Sequence, residues 1–362
     1  MRPLITSLVF FGCLVAGQQS LTKPANIAVA IPVASATETN QRIKKVLIAS
    51  NRLWILYLNG KLSSLDLKGG DPQEVAPDKF VFDIYRSFAN QLYCLGSVSE
   101  ASTQLSVWQK TDNAWSPIGK IERGRQNWVL GLREYRDSLL ILTQNRIYIQ
   151  KGLADWRSVA LKGELKASYQ TPFAVTDTGL VYVGVNLGEW GGGLLQASIE
   201  TGLVTKIERR DTPKLCDGPL NSDCDPVTGV IRDPENSACV LASIGLRHFL
   251  ERGRLLRVCD KTVSVVFEKS YDDESVNTKK EVMGTEAIFD LVAGSEDYWA
   301  VTGRGIYHFK AGTEPTFQTV PALVRRSGIS MSDAIPNIIV VATDINWAMS
   351  VSGYTPLIAV KN

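Results

Sequence analysis

Histidine is nearly missing from these 362 residues, with two copies, and methionine is scarce at four. A His-dependent triad would have to use His248, since His308 sits in a strand-like stretch and reads as structural. No serine occupies a nucleophile-elbow context. No charge of one sign dominates: 39 basic and 37 acidic residues give a net +2, so no global field draws the chain to nucleic acid or an acidic membrane. Long apolar runs are lacking, which excludes a permanent transmembrane helix. None of the six cysteines shows C-x-x-C spacing, and there is no P-loop or dinucleotide fingerprint, so neither metal nor cofactor is expected. No segment longer than a turn or two has helical periodicity.

What the chain has instead is a cadence. Seven short apolar runs recur, at residues 53–57, 92–95, 139–142, 180–183, 239–242, 298–301 and 338–341. Continuous apolar character marks strands covered on both faces, because a strand with one wet face would alternate. Turn formers such as Ser50-Asn51, Arg136-Asp137 and Pro336-Asn337 precede the runs. Two further short strands follow each run, the last copy using residues 347–352 and 357–360. A module of roughly 40 to 45 residues that recurs in this way implies a radial array of small sheets.

The N-terminus begins Met1-Arg2-Pro3, continues with an apolar stretch to Ala16, and places Val15 and Gly17 where a signal peptidase reads small residues. Residues 1–17 therefore read as a secretory signal. Lipid anchoring through Cys13 is the alternative, although Phe10-Phe11-Gly12 is bulkier than a good lipobox. Residues 18–42 read as a linker or as a strand that closes the array, and 43–362 as one domain. Export, to a periplasm or out of the cell, puts the remaining cysteines in an oxidising compartment. A symmetric hairpin about residues 248–250 sets Cys239 opposite Cys259, the geometry of a cross-strand disulfide. Cys216 and Cys224 would close a small loop, leaving Cys94 as a buried thiol.

The stretches Thr111-Asp112-Asn113-Ala114-Trp115 and Leu153-Ala154-Asp155-Trp156 resemble eroded Asp-box turns. In sialidase-like and sortilin-like propellers such turns join the third and fourth strands of a blade. Both stretches lack the glycine and hydroxyl residues of the motif, so the likeness concerns topology and not sialidase chemistry. Together with the cadence, the chain resembles the seven-bladed β-propellers over about residues 43–362. The resemblance implies an all-β fold, a seven-bladed β-propeller of four-stranded antiparallel blades, expected as a monomer.

In such a fold the connections from second to third strand and from fourth strand to the next blade share one face. The long connections, at residues 96–104, 186–193, 208–226, 247–253 and 269–286, all belong to it. Irregular loops on a rigid scaffold are where binding residues gather. The candidates there are Asn186, Glu189 and Trp190 in a stretch with four glycines, and Arg209, Arg210, Arg247, His248 and Arg252 in the neighbouring loops. A Trp beside a carboxylate offers a stacking plate and an acceptor, and the arginines suit anionic groups. Each has a structural alternative: the Trp could cap a blade core, and the arginines could pair with Asp217, Asp223, Asp225 or the acidic run 272–274. The expected function is non-catalytic recognition of a protein or glycan. The alternative is a secreted glycan hydrolase or lyase using Glu189, Asp225 and His248.

Overall fold

The computed structural model describes residues 43–66, 73–87, 89–112, 114–125, 127–152, 155–165, 171–247, 251–270 and 284–320. It adds the strands Ala28–Ala30, Ile329–Ile335, Ile338–Thr343 and Leu357–Lys361, described by their backbone. The apolar runs are the second strands of four-stranded antiparallel sheets. Six sheets use consecutive strands. Their inner strands are Ile43–Ala49, Phe80–Arg86, Val129–Tyr135, Phe173–Val175, Val227–Arg232 and Ile288–Ala293, and these define blades 1 to 6. Each inner strand contacts the inner strand of the next blade. This is a β-propeller arrangement of four-stranded antiparallel blades.

The expected count of seven blades is corrected: six blades are built of consecutive strands, and the last sheet is not a seventh copy of the module. It is composite: Ile329–Ile335 pairs with Ile338–Thr343, which pairs with Leu357–Lys361, which pairs with Ala28–Ala30 from the other end of the chain. Residues 357–360, expected as a fourth strand, are therefore in the third position. The expected strand at 347–352 lies outside the described residues, as do residues 1–17 with Cys13. Ile329–Ile335 contacts the inner strands of blades 1 and 6, so the composite sheet stands between them.

The core is laminated between neighbouring blades, because each sheet has two faces to cover and a blade on either side. Leu47, Trp54, Leu56 and Leu62 of blade 1 pack on Val81, Ile84, Leu92 and Cys94 of blade 2. Similar layers join blades 2 and 3, 3 and 4, 4 and 5, and 5 and 6. Cys94 is a buried free thiol whose pKa burial pushes well up, as an apolar strand dictates.

Inner strands carry a repeated irregularity that no residue pattern announces. Five of the six have a β-bulge at their start, between Ile43 and Lys45, Val81 and Asp83, Val129 and Gly131, Val227 and Gly229, and Ile288 and Asp290. At these bulges side chains reach the next blade. Lys44 Nζ donates to Phe82 O at 2.6 Å, Asp83 Oδ2 accepts from Leu132 N at 2.9 Å, and Thr228 Oγ1 donates to Ile288 O at 2.6 Å. Blade-to-blade adhesion is thus polar at the axis and apolar outside it.

The two turns that resemble Asp boxes do join third and fourth strands. Trp115 leaves one of them to donate to Val75 O at 2.8 Å and to meet Trp54 edge-on at 5.7 Å, sealing blade 2 to blade 1. His308 is structural, with Nε2 2.8 Å from Asp297 Oδ2 and its ring stacked on Trp299.

Candidate functional site

The loops of blades 4 and 5 build one compact platform. Its frame is the hairpin Cys239–Arg247 and Glu251–Cys259, whose register sets Cys239 opposite Cys259 and permits their disulfide. The second disulfide, Cys216 to Cys224, closes the loop that enters blade 5. Arginines of the hairpin hold that loop from beneath. Arg254 donates to Asp225 Oδ2 at 2.6 Å and to Pro219 O at 2.6 Å; Arg252 donates to Cys216 O at 2.6 Å and lies 3.5 Å from Asp225 Oδ1. Asp225 also accepts from Asn221 N at 2.7 Å and is wholly buried. The buried carboxylate is matched in charge by Arg254 and Arg252, and Oδ2 is hydrogen-bonded, while Oδ1 has no hydrogen-bond partner among the described residues.

A second ionic cluster fastens the loop's near edge. Glu208 accepts from Arg210 at 2.7 Å and from the amide and hydroxyl of Ser222, with Lys206 at 3.2 Å; Arg210 also reaches Asp223 at 2.7 Å. Burial alone would raise the Glu208 pKa, but these donors outweigh it and hold the carboxyl at about 2. Arg209 donates to Val263 O at 2.6 Å. Arg209, Arg210 and Arg252, candidates for binding an anion, thus secure the platform.

On this platform stands the glycine-rich turn. Asn186 Oδ1 accepts from Gly188 N, Leu187 N and Trp190 N complete a tight turn closed on Gly191 O and Leu187 O, and Gly192 N and Gly193 N donate to Ser222 O and Asp225 O. Gly191, at φ +74°, presses against the disulfide loop: a Cβ there would lie 2.4 Å from Ser222 O. Trp190 does not cap the blade. It is 82% exposed, on a turn whose backbone is bonded to the stapled loop behind it.

Exposed apolar side chains are distributed unevenly. Among the described residues, Val98, Trp128, Leu187, Trp190 and Leu215 lie on connections of this face, against Leu203 alone on the opposite one. Val98, Trp128 and Leu215 were not singled out by the sequence reading; their only signal was apolar residues inside long polar connections. Glu189 is on the surface of the turn, whereas Asp225 lies beneath the loop, so the two do not form an accessible carboxylate pair. Arg247 is described by its backbone alone, opposite Glu251. His248 and the acidic run 272–274 lie outside the described residues. Among the described residues no three His, Cys, Asp or Glu side chains gather as metal ligands, and no helix is long and apolar enough to cross a membrane.

No protein-family model matches the chain, and no curated protein matches it. Solved structures do. YCF48 bound to D1 peptide aligns with a TM-score of 0.57 at 11% identity, over 94% of this chain and 96% of that one. YCF48 from Cyanidioschyzon merolae aligns at 0.51 and 12%, over 92% and 98%. The extracellular domain of the one component system BT4673 from B. thetaiotaomicron aligns at 0.53 and 14%, over 92% of this chain, which spans only 40% of that domain. At these identities the likeness is one of fold, and it agrees with the β-propeller architecture.

Proposed function

We propose that this chain is an exported, non-catalytic binding propeller that engages a protein partner through the face built by the loops of blades 4 and 5. The observation that carries the proposal is Trp190, 82% exposed on a turn anchored to a disulfide-stapled loop. A large aromatic held rigid before binding gives contact area without an ordering cost, which is what interface hot spots require. Leu187 and Leu215 extend the apolar centre, and the Glu208, Arg210 and Asp223 cluster supplies a polar rim. Two disulfides fit an oxidising compartment, in keeping with a signal at residues 1–17. YCF48, of like architecture, is known with a peptide bound, an analogy of fold that favours a polypeptide over a glycan. The hydrolase reading loses support because Asp225 is buried against Arg254.

The test is a capture experiment on native envelope extracts, with wild type beside Trp190→Ala and the opposite-face control Leu203→Ser. Partners held by wild type and the control should be lost with Trp190→Ala. Equal capture by all three would remove the platform from consideration.

A further inference from the structure

The inner strands carry a second feature that the platform does not use. Across those of blades 1 to 6 stand five cations, Lys44, Lys45, Arg86, Arg133 and Arg232, against three carboxylates, Asp83, Glu134 and Asp290. Lysine pairs are costly beside the axis of a propeller, where each inner strand turns its unpaired edge towards the centre. Two of the cations converge on one carboxylate, and a third stands beside them. Lys45 Nζ lies 2.8 Å from Asp83 Oδ1 and donates to Ile84 O at 2.7 Å. Arg133 Nη1 lies 3.2 Å from Asp83 Oδ2 and donates to Leu132 O at 2.7 Å, while its Nε donates to Phe173 O at 3.2 Å. Lys44 Nζ donates to Phe82 O. Glu100, on the loop beyond, adds a weaker attraction for Lys44.

Counting donors shows what is left over. Asp83 already accepts from Ile84 N and Leu132 N as well as from the two cations, so its lone pairs are filled. An ammonium has three N–H groups and a guanidinium five. Lys44 therefore keeps two N–H groups, Lys45 one, and Arg133 the pair on Nη2. The Lys45 and Arg133 side chains are 29% and 24% exposed, sheltered yet open to a small solute. The ring of Phe173 lies 4.2 Å from the Arg133 guanidinium and fixes its plane.

We propose that Lys44, Lys45 and Arg133 form an anion site beside the axis of the propeller, on the walls of blades 1 to 3, that takes a compact oxyanion, carboxylate or phosphate. The spare donors belong to the inner strands of blades 1 and 3 and are gathered over that of blade 2, where Lys45 and Arg133 share Asp83 and Lys44 holds the neighbouring Phe82 carbonyl. The electrostatic surroundings agree. Burial, opposed by Asp83 and aided by the Arg133 and Lys44 charges, draws Lys45 down to about 8. Asp83, which burial would raise, is held below the usual carboxylate range by Lys45 and Arg133.

Calorimetric titration of the intact chain with inorganic phosphate, and separately with succinate, tests the site. One equivalent should bind, and Lys44→Met, which gives up only the bond to Phe82 O, should weaken it roughly tenfold. Tighter phosphate binding assigns a phosphoryl ligand; tighter succinate binding assigns a carboxylate. A second readout on wild type needs no variant to fold: side-chain amine NMR of lysine-labelled protein should show the Lys44 and Lys45 resonances moving on addition of the tighter anion. Lack of binding by both anions, an unchanged affinity in Lys44→Met, or unmoved Lys44 and Lys45 resonances would each overturn the proposal.

Discussion

A methyl group added at Gly191 would sit 2.4 Å from the Ser222 carbonyl oxygen and 2.5 Å from the Asp223 carbonyl carbon, while one added at Gly188 would meet nothing within 4 Å. Both glycines have positive φ, +74° and +62°. Gly188→Ala should therefore cost about 1 kcal/mol of backbone strain, and Gly191→Ala roughly 2 kcal/mol or more as the turn is pushed off the loop; urea denaturation separates them. Trp190→Ala, at an exposed position, should change stability by less than about 0.5 kcal/mol. Glu208 gives a pH signature. Its folded pKa of about 2 lies below the ordinary 4.5, so its stabilising contribution is complete above pH 4.5 and is lost as pH falls towards 2. Melting temperatures between pH 2.5 and 6 should fall more steeply for wild type than for Glu208→Gln. At this scale sequence is a weak guide: Asn186-Leu187-Gly188-Glu189-Trp190 suggested a displayed aromatic, but it equally allowed a Trp folded onto the blade. What decides is the backbone of the disulfide loop behind Gly191, at Ser222 and Asp223, 31 and 32 residues further along the chain.

Among the elements, the hairpin Cys239–Arg247 and Glu251–Cys259 and the stapled loop depend on each other. Opening the Cys216 to Cys224 bridge with serines releases a short loop, at a cost of about 2.5 kcal/mol in the chain-entropy model. Arg254→Met removes one partner and leaves Asp225 buried with its charge poorly matched, for which about 3 to 5 kcal/mol is expected in a chemical denaturation series. The double variant should cost less than the sum, since both act on the same loop. The disulfides and the apolar strands were legible because each follows from local pattern: continuous apolar runs, and a hairpin with a fixed centre. The bulges of the inner strands were not, since Lys44, Phe82, Leu130, Thr228 and Phe289 have no one residue type in common. For the same reason the axial cluster escaped notice, although Lys44-Lys45 inside the strand Ile43–Ala49 was the available signal.

For the whole molecule, Leu357–Lys361 lies between Ile338–Thr343 and Ala28–Ala30 and so joins strands from the two ends of the chain. Removing residues 357–362 should strip two strands of a partner at once and lower the melting temperature of the entire array, not of one blade. The last sheet was the hardest part to read, because a strand borrowed from the other terminus breaks the repeat. The assignment of loops to faces rests on strand order alone, and it gathers Val98, Trp128, Leu187, Trp190 and Leu215 on one surface. Hydroxyl-radical footprinting of Trp190, in the free protein and in the complex recovered with its partner, tests the central claim most directly. The account predicts rapid oxidation of Trp190 when free and strong protection when bound, with Leu203 unaffected. Equal oxidation of Trp190 in both states would contradict it.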